Sequence, residues 1–293
     1  MPLTSLWLRF PVERPLVFQS FSGFASRGVF FEMLRSYDEE WAHLLHSGGG
    51  IAPYSTTPII AHDGRRSQVV YRHLPACLAS LRICLLEHEL SKAFLDILLS
   101  GDHSVRLLEH EFPLTGISVQ VLDFQELLAE AKPVRKFALK FKTPCFFRRP
   151  PASYLLCPRT TWAKRRLGEV KRFVPLPDPI LMFKNLVRLW RAFSNKPFCY
   201  ESFMEWVELG GVALSGFPSG LKTVRLYEHP DSNKWAVGFM GTASFVLPDD
   251  TFHRRYARIV DALLRFAEFS NVGGNRTAGF GVVEYKPTEY AEF

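Results

Sequence analysis

"DDTFHRRYARIVDALLRFAEFSNVGGNRTAGFGVVEYK", Asp249 to Lys286, is the stretch on which the fold turns. Phe252, Tyr256, Ile259, Leu263, Leu264 and Ala267 recur at helical spacing, so residues 250–270 are expected to form an amphipathic helix with those six facing a core. The helix runs into Gly273, Gly274, Gly279 and Gly281, with Asn275, Arg276 and Thr277 among them. "GFGVVEYK" then reads as a closing strand. Further upstream, "KTVRLYEHPDSNKWAVGFMGTASFVL" reads as a hairpin turning near "HPDSNK", and "YESFMEWVELGG" as a short helix. "DPILMFKNLVRLWRAFS" (178–194) reads as a longer helix, with Asp178 at the N-cap and Pro179 at the first helical position. "KFALKFKTPCFFRR" before it is a strand. The second half therefore has the order βαββαβ.

The first half repeats that order in pattern, without sequence identity. "LTSLWLRFPV" (3–12) is a strand, and residues 26–46 form one helix or two meeting near Ser36–Asp38, both plausible N-caps. "SGGG" breaks the chain, and "APYSTTPIIAHDGRRSQVVYRHL" is extended and turns at "DG". "LASLRICLL" is a strand, "EHELSKAFLDILLSG" an amphipathic helix stopped by Gly101, and "HSVRLLEHEFPLTGISVQVLDF" a returning strand. The polar stretch 125–136, with Pro133, is read as a linker. The expected fold class is α+β, with tandem ferredoxin-like (βαββαβ) domains at 1–128 and 136–293.

Composition narrows the function classes. At 293 residues and 47% hydrophobic, the chain can build two cores. Its net charge of +7 suits an acidic partner. Cys77, Cys84, Cys145, Cys157 and Cys199 show neither paired metal spacing nor a disulfide framework. The N-terminus lacks the basic-then-apolar order of a signal peptide, and "CLASLRICLL" is interrupted by Arg82. A cytoplasmic protein with no metal, no cofactor and no membrane partner is expected, as a monomer or a homodimer.

Physically, the glycine loop has two readings. Clustered glycines permit positive φ and expose N–H groups to an anion, to which Arg276 adds a bidentate cation. Alternatively, they form a tight helix–strand turn. The loop lacks the Lys-Ser/Thr ending of a phosphate-binding P-loop, and it follows a helix where a dinucleotide fingerprint follows a strand.

"FAEFSNVGGNRTAGFG" resembles the C-terminal glycine-rich loop of the CRISPR repeat-processing endoribonucleases of the RAMP superfamily. Gly279-Phe280-Gly281 matches the second half of that motif. In the first half Val272 and Gly273 match, while Asn271 stands at the first glycine, a residue that tolerates positive φ. "RFAEFSNVG" and "LPDPILMFKNLVRLW" are also similar to the family. The resemblance implies metal-independent cleavage of CRISPR repeat RNA by 2′-hydroxyl attack, leaving a 2′,3′-cyclic phosphate and a 5′-hydroxyl. It also admits a non-catalytic RAMP subunit that binds RNA within an effector complex, so other CRISPR effector subunits are candidate partners.

Histidine suits the proton transfers. By position in the family, His46 is the expected catalytic histidine, with His43 in reserve. Many relatives carry a Tyr in the first helix and a Lys after the histidine. Here Phe30 and Phe31 fill that part of the helix, and "SGGGIAPYS" has no Lys. Tyr37 and Arg35 are named as assisting residues, with Tyr54 and Arg27 nearby. Arg27, Gly273, Gly274, Asn275, Arg276, Thr277, Gly279 and Gly281 are expected at the RNA. The basic stretch 144–174, with Phe146, Phe147, Tyr154 and Trp162 interleaved, adds Arg148, Arg149, Lys164, Arg165 and Arg166 as RNA-binding candidates.

Overall fold

A computed structural model describes residues 2–64, 66–101, 103–149, 172–229 and 232–291. The fold is mixed α+β with several sheets. The first half runs β1 (Pro2–Val12), α1 (Gly23–Tyr37), α2 (Glu39–Ser47), β2 (Tyr54–Thr56), β3 (Ile60–Asp63), β4 (Arg66–Val69), β5 (Cys77–Leu85), α3 (His88–Leu99) and β6 (Gly116–Asp123). Its sheet has the order β6-β1-β5-β3-β4, with β2 also on β5. Leu6, Leu8 and Phe10 of β1 and Leu81 and Ile83 of β5 face the helices and are buried. Phe30 of α1 and Phe94 of α3 stack with ring centroids 5.0 Å apart, which joins the two helices over the sheet.

The second half runs α4 (Phe124–Ala129), β7 (Val134–Cys145), α5 (Pro179–Phe193), α6 (Tyr200–Trp206), β8 (Ala213–Gly216), β9 (Leu221–His229), β10 (Ser232–Val246), α7 (Arg254–Ser270) and β11 (Val283–Tyr290). Its sheet order is β8-β10-β7-β11, with β9 also on β10. Two short strands, Phe147–Arg149 and Arg172–Val174, pair beside it. Helices α5 and α7 bury Phe183, Leu186, Trp190, Leu263 and Phe266 against Phe137, Leu139 and Phe141 of β7. Ile259, Leu263, Leu264 and Ala267 are buried, and Phe252 and Tyr256 pack against the same core from partly open positions, as their spacing predicts.

Local chemistry sets the helix ends. Asp38 caps α2, its side chain accepting from the Trp41 N–H at 2.8 Å, so the 26–46 region is two helices. Asp178 caps α5 in the same way through Leu181, with Pro179 in the first turn. The expected linker at 125–136 is corrected in its first part. Asp123 and Glu126 form a capping box that starts α4, and Phe124 and Leu127 are fully buried. They share one apolar cluster with Leu3, Cys84 and Leu86 of the first half and with the core of the second. The expected strand at 103–124 is also divided: Ser104–Leu107 and His110–Pro113 form a hairpin before β6 begins. Arg258 and Arg265 are both engaged within the protein. Arg258 donates to Ala131 O at 2.9 Å, and Arg265 pairs with Glu130 at 2.7 Å, which ties α7 to the end of α4.

Candidate functional site

The helix α7 ends because Asn271 turns to positive φ (56°), the conformation its position in the motif requires. Gly273, Gly279 and Gly281 follow with φ of 84°, 73° and 67°. At Gly279 a Cβ would lie 2.5 Å from the Pro58 nitrogen, and at Gly273 it would lie 2.5 Å from the Phe146 carbonyl oxygen. These glycines therefore answer to the protein's own backbone. Most of the loop's N–H groups do too. Val272 donates to Gly281 O, Gly274 to Phe146 O, Ala278 to Asn275 O and Gly281 to Pro144 O. The Gly273 N–H donates to Asn185 Oδ1 of α5 at 2.9 Å. At its tip Asn275 and Thr277 are partly open, with Arg276 between them buried.

The loop docks onto β2 in the first half. Thr56 Oγ1 donates to Thr277 O at 3.0 Å, and the Asn271 amide donates to Thr56 O at 2.8 Å and to Arg276 O at 3.0 Å. Ser55 Oγ donates to Phe269 O. Arg276 completes the dock. It is 7% exposed, and its guanidinium donates to Tyr54 O at 2.7 Å and to Ala52 O. The expectation of an open Arg276 cation is thus corrected: the fork closes the seam between the halves. Burial pushes its pKa down to about 10, the Tyr54 phenol opposes this, and the nearby Arg188 charge adds to the lowering. It remains protonated at neutral pH.

Above this seam lies a cleft of about 500 Å³. One wall is Gly50, Ile51 and Ala52, the chain that leaves α2. The opposite wall is Leu181, Lys184, Asn185 and Arg188 of α5. Phe147 and Arg148 close one end, and Gly273 to Thr277 form the floor. Lys184 and Asn185 lie four and three residues before Arg188 on one face of α5, so a helix otherwise devoted to the core presents two cations to the cleft. Arg148, Lys184 and Arg188 are exposed, and among the described residues no Asp or Glu lines the cleft. The Arg148 guanidinium lies 5.9 Å from the centroids of both Phe146 and Phe173, which hold it at the rim. Lys184 and Arg188 carry no sequence signal beyond being polar positions on an apolar helix.

His46 is exposed in the last turn of α2, four residues before the cleft wall begins at Gly50. Its ring meets Phe31 edge to face at 5.1 Å. Phe31 in turn meets Tyr54 at 5.9 Å. Arg27, Phe31 and Arg35 lie at i, i+4 and i+8 on α1 and share a stripe, with His46 over its centre. Arg27 is half-buried beside Phe24, 5.4 Å from the ring centroid, and its charge reaches the Tyr54 phenol. Burial raises the Tyr54 pKa to about 12, against the opposing Arg27 charge, the hydrogen bond to the Thr277 side chain and the Arg276 charge. Tyr37 ends α1 at 51% exposure, off that stripe. His43 is exposed one turn before His46, and its carbonyl accepts from Ser47 Oγ.

Of the basic-stretch candidates, Arg148 is at the cleft and the backbone of Arg149 continues its strand. Lys164, Arg165 and Arg166, with Tyr154 and Trp162, lie outside the described residues. Phe146 and Phe147 are buried. Among the described residues no three His, Cys, Asp or Glu side chains converge as metal ligands, and no helix is long and apolar enough to cross a membrane.

The family model for the CRISPR-associated endoribonuclease Cas6 matches residues 139–283. A curated CRISPR-associated endoribonuclease Cas6 of Mycobacterium tuberculosis (strain CDC 1551 / Oshkosh) is 27% identical over 158 residues, 52% of this chain; the match spans 40% of that relative's length. A solved Cas6 product complex superposes with a TM-score of 0.72 at 22% identity, covering 97% of this chain and 100% of that one. Thermus thermophilus Cas6 gives 0.67 at 22% identity, with 97% and 98% covered. A Cas6-related protein of Pyrococcus furiosus gives 0.57 at 13% identity, with 99% and 100% covered. The structural likenesses speak for the fold, and the matched sequences make residues 139–283 similar to the CRISPR-associated Cas6 endoribonucleases, with the curated match spanning less than half of that relative's length.

Proposed function

We propose that this protein is a metal-independent endoribonuclease that cuts CRISPR repeat RNA in precursor transcripts, releasing guide RNAs. The observation that carries the reading is the cleft in which Arg148, Lys184 and Arg188 converge beside the glycine-loop tip, with no carboxylate among the described residues that line it. A polyanionic strand is the natural complement of such a surface. Each half is read as a ferredoxin-like βαββαβ unit, because in each sheet the first strand lies between the last and the third.

In the proposed reaction, the RNA backbone lies along the cleft with the scissile phosphate at its His46 end. His46 takes the proton of the 2′-hydroxyl. The 2′-oxygen then bonds to phosphorus as the P–O5′ bond breaks, and the leaving 5′-oxygen gains a proton. The products are a 2′,3′-cyclic phosphate and a 5′-hydroxyl. Arg27 and Arg35 flank His46 on one helical stripe and supply charge for the phosphorane, while Tyr37 lies off that stripe. Lys184 and Arg188 grip flanking phosphates, and Asn275 and Thr277 offer polar groups at the loop tip. The basic stretch that includes Arg149, Lys164, Arg165 and Arg166 extends the grip.

One observation favours a second reading. Among the described residues the His46 imidazole meets an aromatic edge and no polar partner. A non-catalytic RNA-binding subunit of an effector complex would tolerate that. One experiment separates the two readings: incubation with repeat RNA from the encoding organism, in EDTA, with product ends mapped. The enzyme reading expects one cut with a cyclic phosphate end, slowed about 10²–10⁴-fold in His46→Ala with little loss of binding. Binding without any product selects the subunit. Cleavage at the parent rate in both His46→Ala and His43→Ala removes the histidine mechanism.

A further inference from the structure

We infer that Asn185 holds a non-bridging phosphate oxygen of the RNA, a contact that rests on the cleft being the RNA site. Asn185 stands midway along α5, half-buried, on the face that carries Lys184 and Arg188. Asparagine is a poor helix former, because its side chain competes for nearby backbone groups. Its place in the middle of a core helix therefore needs a tertiary cause. Half of that cause is the glycine loop: Asn185 Oδ1 accepts from the Gly273 N–H at 2.9 Å. A backbone N–H only donates, so the amide cannot be turned round. Nδ2 then carries two N–H donors on the side away from Gly273. Among the described residues Nδ2 has no acceptor, and Asn185 lines the cleft.

An anchor for Gly273 needs only an acceptor. A carboxylate would serve it better, because a charged acceptor makes the shorter and stronger bond. Lys184 and Arg188, one residue before and three after, would attract that carboxylate as well. Asparagine is the neutral isostere and forgoes both gains. What it supplies instead is a pair of donors on a wall that stays positive. With Oδ1 committed to Gly273, those donors suit the oxygens of an anion and turn away amines and ring N–H groups. The two cations on the same face make that anion a phosphate of the strand they grip. The Gly273 hydrogen bond also polarises the amide, which strengthens Nδ2 as a donor. A loop N–H spent inside the protein is in this way passed outward to the cleft. Asn185 then sets which phosphate rests against the loop, where Lys184 and Arg188, on long side chains, supply charge with less fixed geometry.

The test is affinity for repeat RNA from the encoding organism, kept uncut by a 2′-deoxy nucleotide at any cleavage site. A neutral methylphosphonate is placed at one linkage at a time. Binding is measured for the parent, Asn185→Ala, Asn185→Asp, and Lys184→Ala combined with Arg188→Ala. In the parent, one linkage should cost about tenfold or more in affinity when substituted, as expected for a hydrogen bond to a charged group. In Asn185→Ala the cost at that linkage should fall to about threefold or less, because the contact is already gone. Asn185→Asp keeps the acceptor for Gly273, so it should melt above Asn185→Ala and yet bind RNA more weakly. There the methylphosphonate at the same linkage should raise affinity, since it relieves the repulsion between carboxylate and phosphate. If Asn185→Ala fails to fold, that reversal of sign in Asn185→Asp decides alone. Affinities that follow the order of melting, or a scan in which no linkage responds to residue 185, overturn the inference. If the Lys184, Arg188 variant binds weakly in that case, the cleft remains the RNA site and only Asn185 leaves it. Parent-like binding by the Lys184, Arg188 variant removes the cleft reading, and the inference with it.

Discussion

Replacing Arg276 with Ala should damage the seam between the halves more than it weakens RNA binding. The guanidinium is buried and donates to the carbonyls of Tyr54 and Ala52. Hydrogen bonds to a charged group are worth about 1.5–3 kcal/mol each, and carbonyls stranded in a dry seam add to the loss. Relief from burying the charge offsets part of this, leaving about 3–5 kcal/mol. At about 2–4 °C per kcal/mol for chains of roughly this size, melting should fall by about 6–20 °C. Arg276→Lys keeps the charge but cannot fork between two carbonyls, so it should recover only part of the loss. The assay is thermal unfolding of the three proteins, with the salt dependence of RNA binding measured below the lowest transition. Arg276 has no open face for a phosphate, so the salt slope should stay near the parent value. The reasoning is refuted if Arg276→Ala melts within about 2 °C of the parent while its salt slope drops by one phosphate's worth.

Two further outcomes follow from the same geometry. Lys184→Ala with Arg188→Ala removes two exposed cleft cations, and should lower the salt slope of binding by about 1.4, at roughly 0.7 per phosphate of a single strand, without moving the melting point; an unchanged slope would place the RNA elsewhere. Tyr54 is an acid whose folded pKa, about 12, lies above its ordinary 10.0. The stability it lends is whole below pH 10 and is lost as pH rises through 12. The parent's urea midpoint should therefore fall more steeply than that of Tyr54→Phe between those values, and parallel curves would remove the assignment.

The parts of the fold that were legible in the sequence are those set by local chemistry. Asp38 and Asp178 accept the N–H groups their helices leave free, and no distant residue changes that. The apolar period of α7 likewise survives contact with whatever it packs on. Helix α4 was missed although its capping box stands in the sequence as Asp123 and Glu126, because Pro133 and the polar run drew the reading toward a linker. The site was less legible because burial is a tertiary property. Arg276 reads as a cation for RNA until β2 is seen to lie across it. Lys184 and Arg188 read as the wet side of a core helix until the far wall of the cleft is in place.

The glycine loop shows why its two sequence readings were not true alternatives. A turn alone needs positive φ, but it does not need Gly279 pressed against Thr57 and Pro58, nor Gly273 against Phe146. An anion cradle alone would leave its N–H groups free, yet Val272, Gly273, Gly274, Ala278 and Gly281 have acceptors within the protein. The missing Cβ atoms let the loop seat on the first half, and the Asn185 amide fixes its other flank to α5. Those two contacts set the cleft's width, since one wall precedes β2 and the other is α5 itself. A side chain at Gly279 would therefore push apart the very walls that carry Ala52 and Arg188, whatever ligand lay between them. The motif's demand for glycine thus arises from assembly of the cleft, and any contact with RNA falls to Asn275 and Thr277 at its tip.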